Sequence, residues 1–183
     1  MVGVILCGGR SQRMGEKKEY LKFADFTLAD YQAKKMKANF EKLYFSSKES
    51  VLNSYNIPTI FDNSNIYAPI FGLCSSLEFI DDDIFVLAVD TPFFVSFTRL
   101  INSFYEMQRP TFAKSNSKIH PLIGIYPKDS INVVKKHIQE NNYKLQNLLI
   151  SLKADYVSID LKETQNLNYK EDYKEALRMV YKY

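Results

Sequence analysis

Strand-like and helix-like segments alternate along the whole chain. Short apolar or β-branched runs predict strands at Val2–Leu6, Leu43–Ser46, Pro58–Phe61, Ile84–Val89, Thr111–Ala113, Leu122–Tyr126 and Tyr156–Ile159. Helical periodicity appears at Thr27–Phe40, Pro69–Phe79, Ser96–Met107, Ser130–Glu140, Lys144–Leu149 and Glu171–Val180. Such alternation is typical of βαβ units, which build a mostly parallel sheet with helices on both faces. We therefore expect a three-layer α/β/α architecture.

Length and charge narrow the class of protein further. The chain has 183 residues, a length that suits one domain, so we expect a single domain over residues 1–183. Lys and Arg number 24 against 21 Asp and Glu, a net charge of +3. This balance is too mild to favour nucleic acid as a partner, and it suits a small anionic ligand held by local charges.

The cysteines and the N-terminal segment indicate an intracellular protein. Cys7 and Cys74 are the only two cysteines, and neither has a second Cys or His at metal-ligand spacing. We expect both to be reduced structural thiols. The apolar run at the N-terminus is too short for a signal peptide or a membrane span, so we expect a cytoplasmic protein that does not bind membranes.

The first predicted strand ends in glycines and cations. In an open α/β sheet, ligands bind beyond the carboxyl ends of the strands. Here the strand leads into Gly8 and Gly9, followed by Arg13 and Lys18. The spacing matches neither a Walker A loop nor a G-x-G-x-x-G fingerprint. Glycines let amides approach an anion, and cations neutralise a polyphosphate, but a surface turn with solvated cations fits equally well.

Carboxylates follow two other predicted strands. Asp62 could accept hydrogen bonds from a base or ribose, or bond its own turn. Asp90 ends the most apolar strand, just before Pro92. A carboxylate beside a phosphate loop is a standard position for Mg²⁺, which needs oxygen ligands and shares them with phosphates. An Asx turn before the proline is the alternative, but the convergence of three strand ends favours the metal role.

The two histidines and a lysine-rich helix can be explained without a role in a functional site. His120 suits either packing with a hydrogen bond or a substrate contact. His137 and the lysines Lys34, Lys35 and Lys37 lie on amphipathic helices, where we expect solvated side chains.

The segment LCGGRSQRMGEKK resembles the signature L-A-G-G-x-S-x-R-M-G-x-D-K of molybdenum cofactor guanylyltransferases, the MobA family of the nucleotidyltransferase superfamily. Further segments are similar to this family along nearly the whole chain. The matching positions are Leu6, Gly8, Gly9, Ser11, Arg13, Met14, Gly15 and Lys18, then Pro69, Gly72 and Leu77, then Asp90, Pro92 and Phe93, then His120, Pro121 and Leu122, then Asn166, Asn168, Glu171 and Asp172.

The resemblance implies a Rossmann-like nucleotidyltransferase fold and a specific reaction. The family transfers GMP from GTP to molybdopterin, uses Mg²⁺ and releases pyrophosphate. Molybdoenzyme chaperones or cofactor-insertion proteins are further partners that the resemblance suggests. The sequence leaves two alternatives open. One is a sibling cytidylyltransferase acting on molybdopterin or another phosphorylated acceptor, and the other is a non-catalytic nucleotide-binding accessory protein.

The resemblance also implies roles for single residues. Arg13, Lys18 and Asp90 match the positions expected to support catalysis, with Asp90 as the Mg²⁺ ligand. The positions expected to bind GTP are Leu6, Gly8, Gly9, Lys18, Asp62 and Asp90. Asn166 and Asn168 match positions linked to the pterin substrate.

The chain departs from the family pattern in three places. Cys7 replaces the usual alanine, and Lys17 replaces the signature aspartate before the matching lysine. The segment FSSKES lacks the asparagine that typically follows the strand after the first helix, and Ser47 or Lys48 stands in its place. The lysine makes the local charge more positive than usual, and the last two departures bear on base selectivity and activity.

Overall fold

The structure is a computed structural model that describes residues 1–8 and 17–181. The strands are β1 (Val2–Leu6), β2 (Lys22–Phe23), β3 (Phe26–Thr27), β4 (Leu43–Ser47), β5 (Thr59–Phe61), β6 (Ile84–Ala88), β7 (Thr111–Ser115), β8 (Lys118–Tyr126) and β9 (Asp155–Ser158). The helices are α1 (Leu28–Lys37), α2 (Pro69–Phe79), α3 (Phe97–Met107), α4 (Ser130–Gln139), α5 (Leu145–Ser151) and α6 (Lys170–Val180). A short 3₁₀ turn covers Lys18–Tyr20.

Seven strands form one sheet in the order β5-β4-β1-β6-β8-β7-β9. β8 runs antiparallel to both of its neighbours, and the other pairs in the sheet are parallel. The expected mostly parallel sheet is therefore confirmed. The central strands β1 and β6 are buried along their whole length, because helices cover both faces of the sheet.

The core divides into two clusters, one on each face of the sheet. Alternate residues of β1 contribute to opposite faces: Val4 belongs to one cluster and Ile5 to the other. Side chains of α1, α3 and α6 pack with Ile5, and side chains of α2, α4 and α5 pack with Val4. This arrangement confirms the three-layer α/β/α fold.

The start of β8 differs from the sequence prediction. The strand was expected to begin at Leu122, but β8 begins at Lys118 and forms a tight hairpin with β7. The turn between Ser115 and Lys118 contains Asn116 at φ 51°, a left-handed conformation that asparagine tolerates better than most residues. The hydrophobic pattern did not indicate the first half of this strand, because Lys118 and His120 are polar.

The prediction for His137 was wrong. This side chain is buried between α4 and α5, where Nε2 lies 2.9 Å from Ser151 Oγ and Nδ1 lies 3.3 Å from the carbonyl of Asn142. Cys7 is buried and Cys74 is half-buried, and both are free thiols. Within the described part of the chain, no helix combines the length and the apolar character needed to cross a membrane.

Candidate active site

A cavity of about 360 Å³ opens at the carboxyl ends of four adjacent strands, β6, β1, β4 and β5. Ligand sites of open α/β sheets occur at this edge. Its wall includes Gly8 and the polar side chains of Lys18, Lys48, Asp62, Asp90 and Asn168. The structure thus brings together residues from both halves of the chain at the edge where the sequence placed them.

Lys18 and Asp90 form an ion pair at one end of the cavity. Lys18 Nζ donates to Asp90 Oδ2 at 2.6 Å and to Asn168 Oδ1 at 2.9 Å. Asn166 Nδ2 donates to the other carboxylate oxygen, Asp90 Oδ1, at 3.2 Å. The Lys18 and Asp90 side chains are 17% and 14% exposed, so salt screens their attraction less than that of a surface pair. These four side chains form one hydrogen-bonded cluster.

Asp62 and Lys48 form a second pair near the other end. Lys48 Nζ donates to Asp62 Oδ2 at 2.9 Å and also to the carbonyl of Ser64. Asp62 Oδ1 accepts from the backbone N–H of Ser64 at 2.9 Å. Asp62 therefore bonds its own turn, as the structural interpretation of the sequence foresaw, and it also lines the cavity.

Two side chains of α1 donate hydrogen bonds to the loop that carries Asp90. The buried side chain of Gln32 donates through Nε2 to main-chain carbonyls on both sides of Asp90, the nearest being that of Thr91 at 2.9 Å. Lys35 Nζ donates to the carbonyl of Pro92 at 2.6 Å. The expectation of a solvated Lys35 was wrong, because this half-buried ammonium bonds a main-chain carbonyl. Burial also lowers the pKa of the side chain to about 7.

Comparisons with known proteins identify the family of the chain. A family model described as "MobA-like NTP transferase domain" matches residues 3–155. The chain belongs to this family. The molybdenum cofactor guanylyltransferase of Campylobacter jejuni subsp. doylei is 30% identical over 176 residues, which cover 93% of this chain and 92% of that protein. A probable molybdenum cofactor guanylyltransferase of Aquifex aeolicus is 29% identical and covers 94% and 88% of the two chains.

A solved structure shows the same MobA-like fold. Molybdopterin-guanine dinucleotide biosynthesis protein A from Archaeoglobus fulgidus superimposes with a TM-score of 0.86 and covers 100% of both chains. Its sequence identity is 19%, so this likeness concerns the fold. The expected nucleotidyltransferase fold is confirmed, and with it the resemblance to the MobA family.

The MobA-like glycine segment begins where β1 ends. Leu6 and Gly8 line the cavity, and Gly8 has φ 154°, a conformation that L side chains rarely adopt. Cys7 is buried, and burial raises the pKa of its thiol well above the ordinary value. Gly9 and Arg13 lie outside the described residues.

Lys17, which replaces the family's aspartate, contacts the FSSKES segment outside the cavity. Lys17 Nζ lies 2.6 Å from Glu49 Oε2, and this contact raises the pKa of the lysine. Glu49 belongs to the unusual FSSKES segment, so it balances the positive charge that replaces the family's aspartate. The two side chains are 50% and 72% exposed, and surface pairs of this kind contribute little to stability.

The loop that carries the asparagines is fixed by a buried polar cluster. Thr164 Oγ1 donates to Ser115 Oγ at 2.8 Å, and Ser115 Oγ lies 2.8 Å from His120 Nε2. Burial lowers the pKa of His120 to about 4, so the ring is neutral at pH 7. His120 does not line the cavity. Its position supports the packing interpretation of this histidine.

The sequence prediction missed Gln32, Lys35 and the contact between Lys48 and Asp62. The amphipathic pattern of α1 indicates that one face is buried, but it does not show which polar side chain reaches the loop after β6. The segment FSSKES offered a signal, because Ser47 or Lys48 stands in the place of the asparagine that the family carries.

Proposed function

We propose that this protein transfers GMP from GTP to molybdopterin and releases pyrophosphate. The main support is the cluster of Lys18, Asp90, Asn166 and Asn168 in a cavity at the carboxyl ends of the strands. The cluster combines a cation and a carboxylate with two amides that suit a second polar substrate. The names of the relatives support the same reaction.

The reaction needs no side-chain nucleophile. The phosphate group of molybdopterin attacks the α-phosphorus of GTP, a new P–O bond forms, and the bond to the bridging oxygen of the β-phosphate breaks. Pyrophosphate leaves with the electron pair of that bond. The protein contributes positioning and charge stabilisation, which account for most of the catalysis in phosphoryl transfer. Lys18 would neutralise charge on the phosphate oxygens.

Asp90 suits a role as Mg²⁺ ligand. Among the described residues, no group of three or more His, Cys, Asp or Glu side chains could enclose a metal ion. Mg²⁺ in nucleotide sites is held by one or two carboxylates together with substrate phosphates and water, and a single carboxylate beside Lys18 fits that pattern. When bound, the ion would supply positive charge to the phosphate oxygens during transfer.

The test is an assay of pyrophosphate release. The protein is incubated with Mg²⁺, molybdopterin and each nucleoside triphosphate in turn. The proposal predicts pyrophosphate release that requires molybdopterin and is fastest with GTP. Comparable turnover with CTP would favour a cytidylyltransferase, and binding of GTP without any release would favour an accessory protein.

A further inference from the structure

The side chain of Gln32 bonds the main chain on both sides of Asp90. Its Nε2 atom donates to the carbonyls of Ala88, Val89 and Thr91, at 3.1, 3.3 and 2.9 Å. An amide has two N–H groups, so two of these bonds share one hydrogen. The three carbonyls span the turn in which Asp90 lies, so one buried side chain of α1 fixes the position of this turn relative to the helix.

Two further bonds restrict the same segment. The N–H of Leu167 donates to the carbonyl of Asp90 at 2.9 Å, and Lys35 Nζ donates to the carbonyl of Pro92 at 2.6 Å. The carbonyls of Val89 and Asp90 belong to the two peptide groups that flank the Asp90 Cα atom. Because each peptide group is planar, bonds to both restrict φ and ψ of Asp90, and with them the direction of its Cα–Cβ bond.

The side-chain bonds of Asp90 cannot orient its carboxylate for a metal. Lys18 and Asn166 donate to the two carboxylate oxygens, and a cation bound there would repel both donors. The main-chain bonds lie outside the carboxylate and persist when its oxygens are occupied. The orientation of Asp90 toward a bound cation therefore depends on the contacts of its main chain.

The unpaired oxygen of Gln32 points to the same role. This side chain is fully buried, and among the described residues its Oε1 atom has no hydrogen-bond partner. Leaving a buried acceptor unpaired costs free energy that an apolar side chain of similar length would avoid. Packing alone does not explain a glutamine at this position, whereas a requirement for its N–H donors does.

We propose that Gln32 and Lys35 are positioning residues, which orient the Asp90 carboxylate for Mg²⁺. The inference rests on the proposed function, in which Asp90 is a ligand of the ion. Neither residue is among the described residues that line the cavity, so both act through the turn and not on a substrate. Mg²⁺ requires nearly ideal octahedral geometry, and loss of a partner that orients a metal ligand typically lowers metal affinity about 10- to 100-fold.

Binding of GTP with and without metal tests this role apart from turnover. Titration calorimetry gives the affinity for GTP in Mg²⁺ and in EDTA, and the ratio of the two affinities is the metal enhancement. Gln32→Met keeps the length of the side chain and removes its donors. We expect the metal enhancement of this variant to fall about tenfold, with a metal-free GTP affinity within about twofold of the wild type.

Lys35→Met is a milder variant at a half-buried position, where the change is easier to accommodate in the fold. At about pH 8.5 the Lys35 amine is already neutral, because burial lowers its pKa to about 7. The variant then loses a hydrogen bond and not a charge. It removes one bond from the turn, whereas Gln32→Met removes three, so we expect its metal enhancement to fall only about threefold.

Asn53 offers a matched control. This amide also donates to two main-chain carbonyls, those of Val51 and Ile57, in a loop that is not part of the described cavity wall. Asn53→Leu removes those donors and should keep the wild-type metal enhancement.

The outcomes separate positioning from a structural role. An unchanged metal enhancement in Gln32→Met and Lys35→Met, or an equal loss of GTP affinity with and without Mg²⁺, would overturn the inference. If Gln32→Met does not fold, Lys35→Met alone decides. A wild type without any metal enhancement would overturn the inference together with the metal role of Asp90. Variants that behave as expected in a protein that releases no pyrophosphate would contradict only the proposed reaction.

Discussion

Lys18 Nζ lies 2.6 Å from Asp90 Oδ2, although the two residues are 72 positions apart in the sequence. The residue expected to bind phosphate and the residue expected to bind the metal therefore neutralise each other in the described structure. A bound phosphate and a bound cation would each supply a new opposite charge. The pair can thus separate without leaving either charge unpaired.

Lys18 should contribute to GTP affinity through its charge. We expect Lys18→Ala to weaken GTP binding about tenfold or more, the scale of one charge-assisted contact. The loss should shrink at high salt, because screening already weakens binding to the wild type. Titration calorimetry at two salt concentrations measures both effects.

Lys17→Ala is the matched control for that experiment. Lys17 pairs with the exposed Glu49 and does not line the cavity, so its loss should change GTP affinity much less. Equal effects of the two substitutions would mean that both lysines attract GTP only through the overall positive charge of the loop.

Asp90 should matter more for turnover than for nucleotide binding. Asp90→Asn keeps the shape of the side chain and removes its charge, so we expect turnover to fall about a hundredfold or more. Binding of GTP without metal should change less, and raised Mg²⁺ or Mn²⁺ should restore only part of the activity. Near-normal guanylyl transfer by the variant would show that Asp90 is a turn residue.

Asn166 and Asn168 should act on the second substrate. Both residues line the cavity, and each side chain contacts one member of the Lys18–Asp90 pair. We expect the double change to alanine to raise the KM for molybdopterin about tenfold and to affect GTP affinity much less. A larger effect on GTP affinity would assign the two asparagines to the nucleotide or to the fold.

The folded protein should lose stability in mild acid because of His120. Burial holds its pKa near 4, below the value of about 6.5 expected in the unfolded chain. Below pH 6.5 the unfolded state binds the additional proton, so the free energy of unfolding falls as the pH drops from 6.5 toward 4. We expect this residue to account for about 3 kcal/mol of that loss by pH 4.

Comparison with His120→Gln measures this contribution. The glutamine side chain does not titrate and can still bond Ser115. Denaturant unfolding at several pH values should therefore give a shallower decline for the variant than for the wild type. Parallel curves would mean that His120 does not cause the decline.

The main helices and strands could be predicted because residues close together in the sequence determine them. The predicted helix Pro69–Phe79 has the bounds observed for α2, since proline suits the first turn of a helix. The predicted strand Val2–Leu6 is β1, whose continuous apolar run is typical of a strand buried on both faces. The hairpin of β2 and β3 was missed, because its strands are only two residues long.

Apart from the family resemblance, the sequence predicted only those site residues that directly follow a strand or the glycines at its end. The rule that ligands bind at these ends brought Lys18, Asp62 and Asp90 to one edge of the sheet. The contacts of Lys35 with Pro92 and of Lys48 with Asp62 depend on how a helix or loop packs in three dimensions. No periodic pattern in the sequence encodes such contacts.

Transfer of the GMP portion of GTP to molybdopterin can be followed directly with labelled nucleotides. The most direct test uses GTP labelled either at the α-phosphate or at the γ-phosphate, incubated with the protein, Mg²⁺ and molybdopterin. We expect the α-label to enter a pterin dinucleotide and the γ-label to appear only in pyrophosphate. Labelled CTP should give about a tenth as much product or less. Label from CTP in the pterin product at a comparable rate, or an α-label that stays in GTP, would contradict the proposed reaction.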